Sequence, residues 1–203
     1  MADVLVILAH PDLTRSRVNR ALLRAARALP ADDVDVRDLY ALYPDYVIDI
    51  EAEQAALKAA RTVVWVHPIH WYSMPSLMKL WLDEVFAFRW AYGPGGTALA
   101  GKCLWLVVST GGSEASYTEG GSNAHDFGDF LATYRQTARL VGMRFLDPEV
   151  FHGAHRAGKP PVDEHARAFG LRLRALVDEA RSVMPPVMPE IVADERPAPG
   201  VEA

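Results

Sequence analysis

Three short segments carry residue types suited to holding an anion beside a flat ring: AHPDLTRSRVN at 9–19, HPIHWYSMP at 67–75 and STGGSEASY at 109–117. In the first, Ser16, Arg17, Val18 and Asn19 stand at the mouth of a predicted helix, with Thr14 just before. Hydroxyl, amide and free backbone N–H groups at a helix N-terminus make an anion site, and Arg17 adds a full charge. Plain N-capping by Thr14 or Ser16 explains the same residues equally well when the segment is taken alone. In the second, Ile69 and His70 lead into Trp71 and Tyr72, aromatic groups on a loop, which suit a planar ligand or a subunit contact. His67 and His70 have a spacing seen in metal sites, but Pro68 forbids an ordinary helix there and no carboxylate is near, so no metal is expected. In the third, Ser109, Thr110, Gly111 and Gly112 offer hydroxyls and two glycines whose backbone can approach a ring closely. Tyr117 and His125 follow, joined by TEGGSNA; both can donate hydrogen bonds to charge developing on a ring oxygen, although such residues are ordinarily surface groups.

Each of these segments follows a predicted strand. VLVILA at 4–9, VDV at 34–36, TVVWVH at 62–67, CLWLVVS at 103–109 and MRFLDPEVF at 143–151 read as five strands. The first, third and fourth are apolar without alternation, as strands covered on both faces are. Helical periodicity fills the gaps at 17–29, 51–60, 75–87, 127–141 and 162–182. In 17–29, Val18, Leu22, Ala25 and Leu29 form one face and four arginines the other; Glu51 and Glu53 suit a helix N-terminus. Pro75 suits a first helical position and Gly142 a C-cap. Strand and helix in alternation predict an α/β fold: a five-stranded parallel sheet, order 2-1-3-4-5, with helices on both faces. The segments after strands one, three and four then border the switch point, where ligands bind in open α/β sheets. That convergence tips the first segment from capping toward phosphate binding. Residues 1–184 make one domain, and 185–203, with five prolines, a tail without periodicity.

Composition narrows the function classes. The chain has 203 residues, half of them apolar, and a net charge of −5. That balance argues against nucleic acid and gives no attraction to anionic lipid. The single cysteine, Cys103, excludes an intrachain disulfide, reads as a buried inert thiol and suits a cytoplasmic protein. MADVLVILAHPD is not a signal peptide, and no apolar run is long enough to span a membrane, so any membrane association goes through a protein partner. GTALAGKC at 96–103 nearly spells a P-loop, but its glycines precede a strand rather than follow one, so it is rejected. On a helix through 76–88, Leu77, Leu80, Trp81 and Phe88 lie on one side and Met78, Leu82 and Phe86 on another; apolar groups on two sides imply a partner, for which a homodimer is the simplest choice.

The stretches AHPDLTRSRVNR, DLYALYPDYVIDIEAEQAAL, WVHPIHWYSMPSLMKLWLDEVFAFRWAYGPGGTALAGK and STGGS cover most of residues 4–113. Together they resemble the flavodoxin-like NAD(P)H:quinone oxidoreductases of the DT-diaphorase type, and most closely the ancillary flavoproteins of glutathione-gated potassium-efflux systems. The resemblance implies FMN as cofactor, with FAD the alternative, and NAD(P)H as co-substrate. The implied reaction is a two-electron hydride transfer through flavin N5 to a quinone or similar acceptor. His10 and Ser16 to Asn19 match the family's phosphate and ribityl loop, Ile69 to Tyr72 the loop under the ring, and Ser109 to Gly112 the backbone at its polar edge. Tyr117 matches the family's active-site tyrosine. His70 stands where a glutamine is usual, and His125 lies two residues beyond the family's histidine. The resemblance also implies an alternative role: a regulatory subunit on a cation:proton antiporter at the inner face of the membrane, with catalysis secondary.

Overall fold

A computed structural model describes residues 2–182; the tail expected over 185–203 lies outside the described residues. The strands are β1 (Val4–Leu8), β2 (Val34–Asp38), β3 (Thr62–Pro68), β4 (Cys103–Ser109), β5 (Arg144–Phe145) and β6 (Glu149–Phe151). All pair in parallel, in the order β2-β1-β3-β4-β5, with β6 beside β4. The flavodoxin-like order 2-1-3-4-5 is therefore present, but its fifth position is filled in two pieces rather than by one strand over 143–151. Arg144 and Phe145 pair with the start of β4, and residues 149–151 with its end. Pro148, between them, has no N–H to give the ladder.

The helices are α1 (Val18–Arg27), α2 (Leu39–Leu42), α3 (Ile50–Ala59), α4 (Ser76–Val85), α5 (Phe127–Phe130), α6 (Ala132–Leu140) and α7 (Lys159–Ser182). The segment 127–141 is thus two helices, broken at Leu131, and Gly142 ends the second at φ +73°. Pro75 stands just before α4, as its N-cap rather than its first helical residue. Alternate strand residues feed two cores. Leu5, Ile7, Val63, Trp65, Leu104 and Leu106 pack toward α4, while Val4, Val6, Val64, Val66 and Trp105 pack toward α1 and α7. The central strands are covered on both faces, which explains their unbroken apolar runs. On α1 the buried stripe is Val18, Ala21, Leu22, Leu23 and Ala26, turned from the expected Ala25 and Leu29 because α7 lies against it.

Three expectations are revised or extended. Glu51 is exposed at the start of α3, but Glu53 is fully buried. Its carboxylate accepts from Arg37 Nε at 2.7 Å, Tyr43 OH at 2.5 Å and Trp81 Nε1 at 2.9 Å. A buried carboxylate needs partners of this kind, so Glu53, which stands in the first turn of α3 as expected, also joins that helix to β2 and α4. Burial and this carboxylate push the Tyr43 phenol up to about 12. Second, both apolar sides of α4 pack largely within the chain: Leu77, Met78 and Trp81 are fully covered, Phe86 is 7% exposed, and Leu80 and Leu82 are half-buried against the same core. The two-sided pattern is thus largely internal packing, and of these residues Phe88, past the helix end, is the one largely exposed. Cys103 is half-buried rather than buried, and Arg144 Nη2 donates to its sulfur at 3.1 Å. No helix among the described residues is long and apolar enough to cross a membrane.

Candidate functional site

β1, β3 and β4 end side by side, and their loops enclose a crevice with two hollows. The first, about 370 Å³, is lined by His10, Ser16, Arg17, Val18, Asn19, Ile69, His70, Ser109, Thr110 and Gly111. Ten of the expected positions thus share one hollow. The second, about 260 Å³, is lined by Ile69, Trp71, Tyr72, Gly112, Ser116 and Tyr117, among others. Ile69 belongs to both, and Gly111 and Gly112 are consecutive, so the hollows adjoin.

At the α1 end, the chain leaves β1 through a 3-10 turn at Leu13–Arg15 and enters the helix at Ser16. Ser16 Oγ accepts from the Asn19 N–H at 3.1 Å, so Ser16 does cap α1, whereas Thr14 bonds Asp12 instead. That bond, first among the causes, holds the Asp12 carboxyl below its ordinary range. Capping and anion binding are compatible, because one side chain satisfies only one of the helix's open N–H groups. Asn19 Nδ2 donates to Ser109 Oγ at 2.9 Å, tying α1 to the end of β4, while its buried Oδ1 has no partner. Arg15 and Arg17 give this hollow two full positive charges against one acid, Asp12, and His10, His70 and His155 add imidazoles to its wall. The His10 imidazole is held below its ordinary pKa, by burial first and then by His70, with Asp12 opposing. Arg17 lines the hollow, yet its guanidinium donates to the carbonyls of Ala157 at 2.7 Å and His155 at 3.3 Å. It holds a loop as well as supplying charge.

At the other end the backbone is strained and the walls are rings. Ile69 N–H donates to Ser109 O, and His70 and Ser73 exchange backbone bonds across a tight turn. Trp71 (φ +48°) and Tyr72 (φ +64°) both take left-handed conformations. Such strain, on the order of 1–3 kcal/mol per residue, is retained where surrounding structure enforces it and clusters at ligand sites. Trp71 is 93% exposed, and Tyr72 stacks on Phe130 at 5.1 Å. Tyr117 sets its ring edgewise to Phe127 and Phe130, and burial raises its phenol pKa. A Cβ on Gly111 would come within 2.7 Å of the His155 ring, so glycine permits that close approach. His67 is fully buried beneath this loop, stacked on Tyr134, and burial lowers it to about 4. His125 lines neither hollow; its side chain is 65% exposed and 3.5 Å from Asp129.

A fourth loop, 151–157, escaped the sequence reading. It follows β6 and is clasped to the third by Thr110 N to Phe151 O, Ala154 N to Thr110 O and Gly153 N to Gly112 O. Ala154 and His155 complete the first hollow. The available signal was position: a loop after the fifth strand opens at the same sheet edge as the others.

A buried acceptor without a partner, open helix N–H groups and a cationic wall suit a polyol arm ending in a phosphate. The adjoining shelf of Trp71, Tyr72, Gly112 and Tyr117 suits a flat ring. Comparison with known proteins agrees with this class. The chain belongs to the flavodoxin-like family, whose model matches residues 2–173. It is similar to the FMN-bound general stress protein 14 of Treponema denticola, with 36% identity over 86% of this chain and 99% of that one and a TM-score of 0.81. It also resembles a structure described as thermophilic tryptophan halogenase from S. violaceusniger, at 40% identity over 81% and 95% of the two chains, TM-score 0.77. An NADPH-quinone reductase of P. pentosaceus matches at 26% identity over 90% and 99%, TM-score 0.72. The family includes flavin-dependent oxidoreductases, but the three names differ in reaction.

Proposed function

We propose that this protein is an FMN-dependent NAD(P)H:quinone oxidoreductase. The observation that carries the reading is the joining of a cationic, polar hollow to an aromatic shelf across Ile69 and Gly111–Gly112. Bound FMN supplies two-electron redox chemistry; the chain's residues hold it and shape what reaches it. The α1 N-terminus, Ser16 and the charge of Arg17 would hold the phosphate, and Asn19 Oδ1 would accept from a ribityl hydroxyl. Ser109 to Gly112 would meet the polar edge of the ring, with Ile69 to Tyr72 beside it.

Tyr117 stands on the open shelf, where an acceptor would lie. Its phenol, protonated at neutral pH and raised further by burial, would donate a hydrogen bond to the acceptor's oxygen as charge develops there. A preformed hydrogen-bond donor on a shelf lined by rings favours catalysis over service purely as a docking subunit for an antiporter. The quinone-reductase name of the P. pentosaceus protein and the FMN of the T. denticola protein support the choice of acceptor and cofactor. Purified protein, its released flavin identified, should oxidise NADH or NADPH in the presence of a benzoquinone. A flavin-bearing preparation that oxidises neither nucleotide would defeat the reading.

A further inference from the structure

Behind the Tyr117 wall stands a histidine that no motif singled out. His152 is half-buried just past the end of β6, and its Nδ1 lies 3.0 Å from Thr110 Oγ1. The Thr110 hydroxyl itself donates to the Gly112 carbonyl at 2.8 Å. A hydroxyl has one proton, so with that proton on Gly112 the Thr110 oxygen must accept from the imidazole. On that assignment the imidazole proton sits on Nδ1. Burial holds His152 below its ordinary pKa, with Glu114 opposing, so at neutral pH this is the ring's single N–H.

The same ring packs on the catalytic wall. Its centroid is 5.4 Å from Tyr117 and 5.3 Å from Phe127. The backbone bonds between the third and fourth loops would survive without it, but they set neither the Thr110 hydroxyl nor the Tyr117 ring. His125 offers no such link, for its only ring neighbour among the described residues is Phe130, at 6.1 Å.

We propose that His152 is the positioning residue of the acceptor end: its Nδ1–H fixes the Thr110–Gly112 turn while its ring holds Tyr117. The kinetic consequence rests on the quinone-reductase reading; the placement of the proton does not.

Long-range proton–nitrogen spectra of the full chain at neutral pH test that placement directly. The chain has seven histidines, and the His152 signal is the one lost in His152→Gln. A proton on Nδ1, exchanging faster with water in Thr110→Val, is expected. A proton on Nε2 with Nδ1 bare overturns the proposal. In quinone reduction, His152→Phe should lower kcat about tenfold with the nicotinamide KM unchanged, and His152→Gln, which restores an N–H donor, should recover part of that loss. Combined with Tyr117→Phe, His152→Phe should add less than about twofold, whereas full additivity would show that it does not act through Tyr117. If the wild-type protein reduces no quinone, the proposed function fails and the spectra still decide the placement of the proton.

Discussion

At the α1 end of the crevice Ser16, Asn19 and Ser109 are buried, and the polar groups are tied to one another. Ser16 bonds Asn19, Asn19 bonds Ser109, and Arg17 reaches across to the fourth loop. At the Tyr117 end the walls are half-exposed rings meeting edge to face, on a loop with two left-handed non-glycine residues. The first arrangement is preformed and suits tight holding of one ligand. The second leaves an open face that differently shaped acceptors can visit. Affinity and turnover should therefore respond to different residues.

The largest expected effect lies beneath the ring end. His67 is buried with Nε2 unpartnered, and its pKa falls from the ordinary 6.5 to about 4. Between those values the unfolded chain binds more protons, so stability is lost as pH falls from 6.5 toward 4. The loss amounts to about 3 kcal/mol. Urea unfolding of the wild type against His67→Gln across that range measures it. Identical pH slopes in the two would remove His67 from the account.

At the α1 end, Asn19→Leu deletes the tie to Ser109 and the buried acceptor. FMN affinity should fall by about 100-fold, the cost of leaving such a buried partner unmatched. Fluorescence quenching on titration reads this, and a loss under threefold would break the contrast between the two ends. Tyr117→Phe should do the reverse: flavin content unchanged and turnover lower by about tenfold, as expected for one charge-stabilising hydrogen bond. Smallest of all is His125→Ala, an exposed group outside both hollows, expected to change turnover by less than twofold. A tenfold loss there would show that the 119–126 segment closes over the shelf during turnover.

The parts most legible in the sequence were those with the strongest physical signature. Unbroken apolar runs marked β1, β3 and β4, and the loops after them proved to line the crevice because parallel strands share one C-terminal edge. The fifth strand was harder to read. Two pieces around Leu146–Pro148 carry little periodicity, so the loop beyond them, with His152 and His155, went unnoticed. His125 lies two residues beyond the family's histidine, and place in the sequence says nothing of the fold of a Gly-rich segment, which directs that side chain to Asp129. Two apolar sides on α4 looked like an interface; no pattern within α4 alone could show that neighbouring elements cover both. Glu53 is the helix-end acid the sequence suggests, but its burial was not legible because its partners, Arg37, Tyr43 and Trp81, come from other elements.

The claim on which the rest depends is that the α1 end holds a flavin by its phosphate. Parallel titrations of the flavin-free protein with FMN and with riboflavin test it most directly, since the two ligands differ by that group alone. The account predicts one FMN per chain, bound at least about 100-fold more tightly than riboflavin, the scale of two or more charge-assisted hydrogen bonds. In Arg17→Ala the gap should narrow by about tenfold. Equal affinity for the two ligands, or binding of neither, would contradict it.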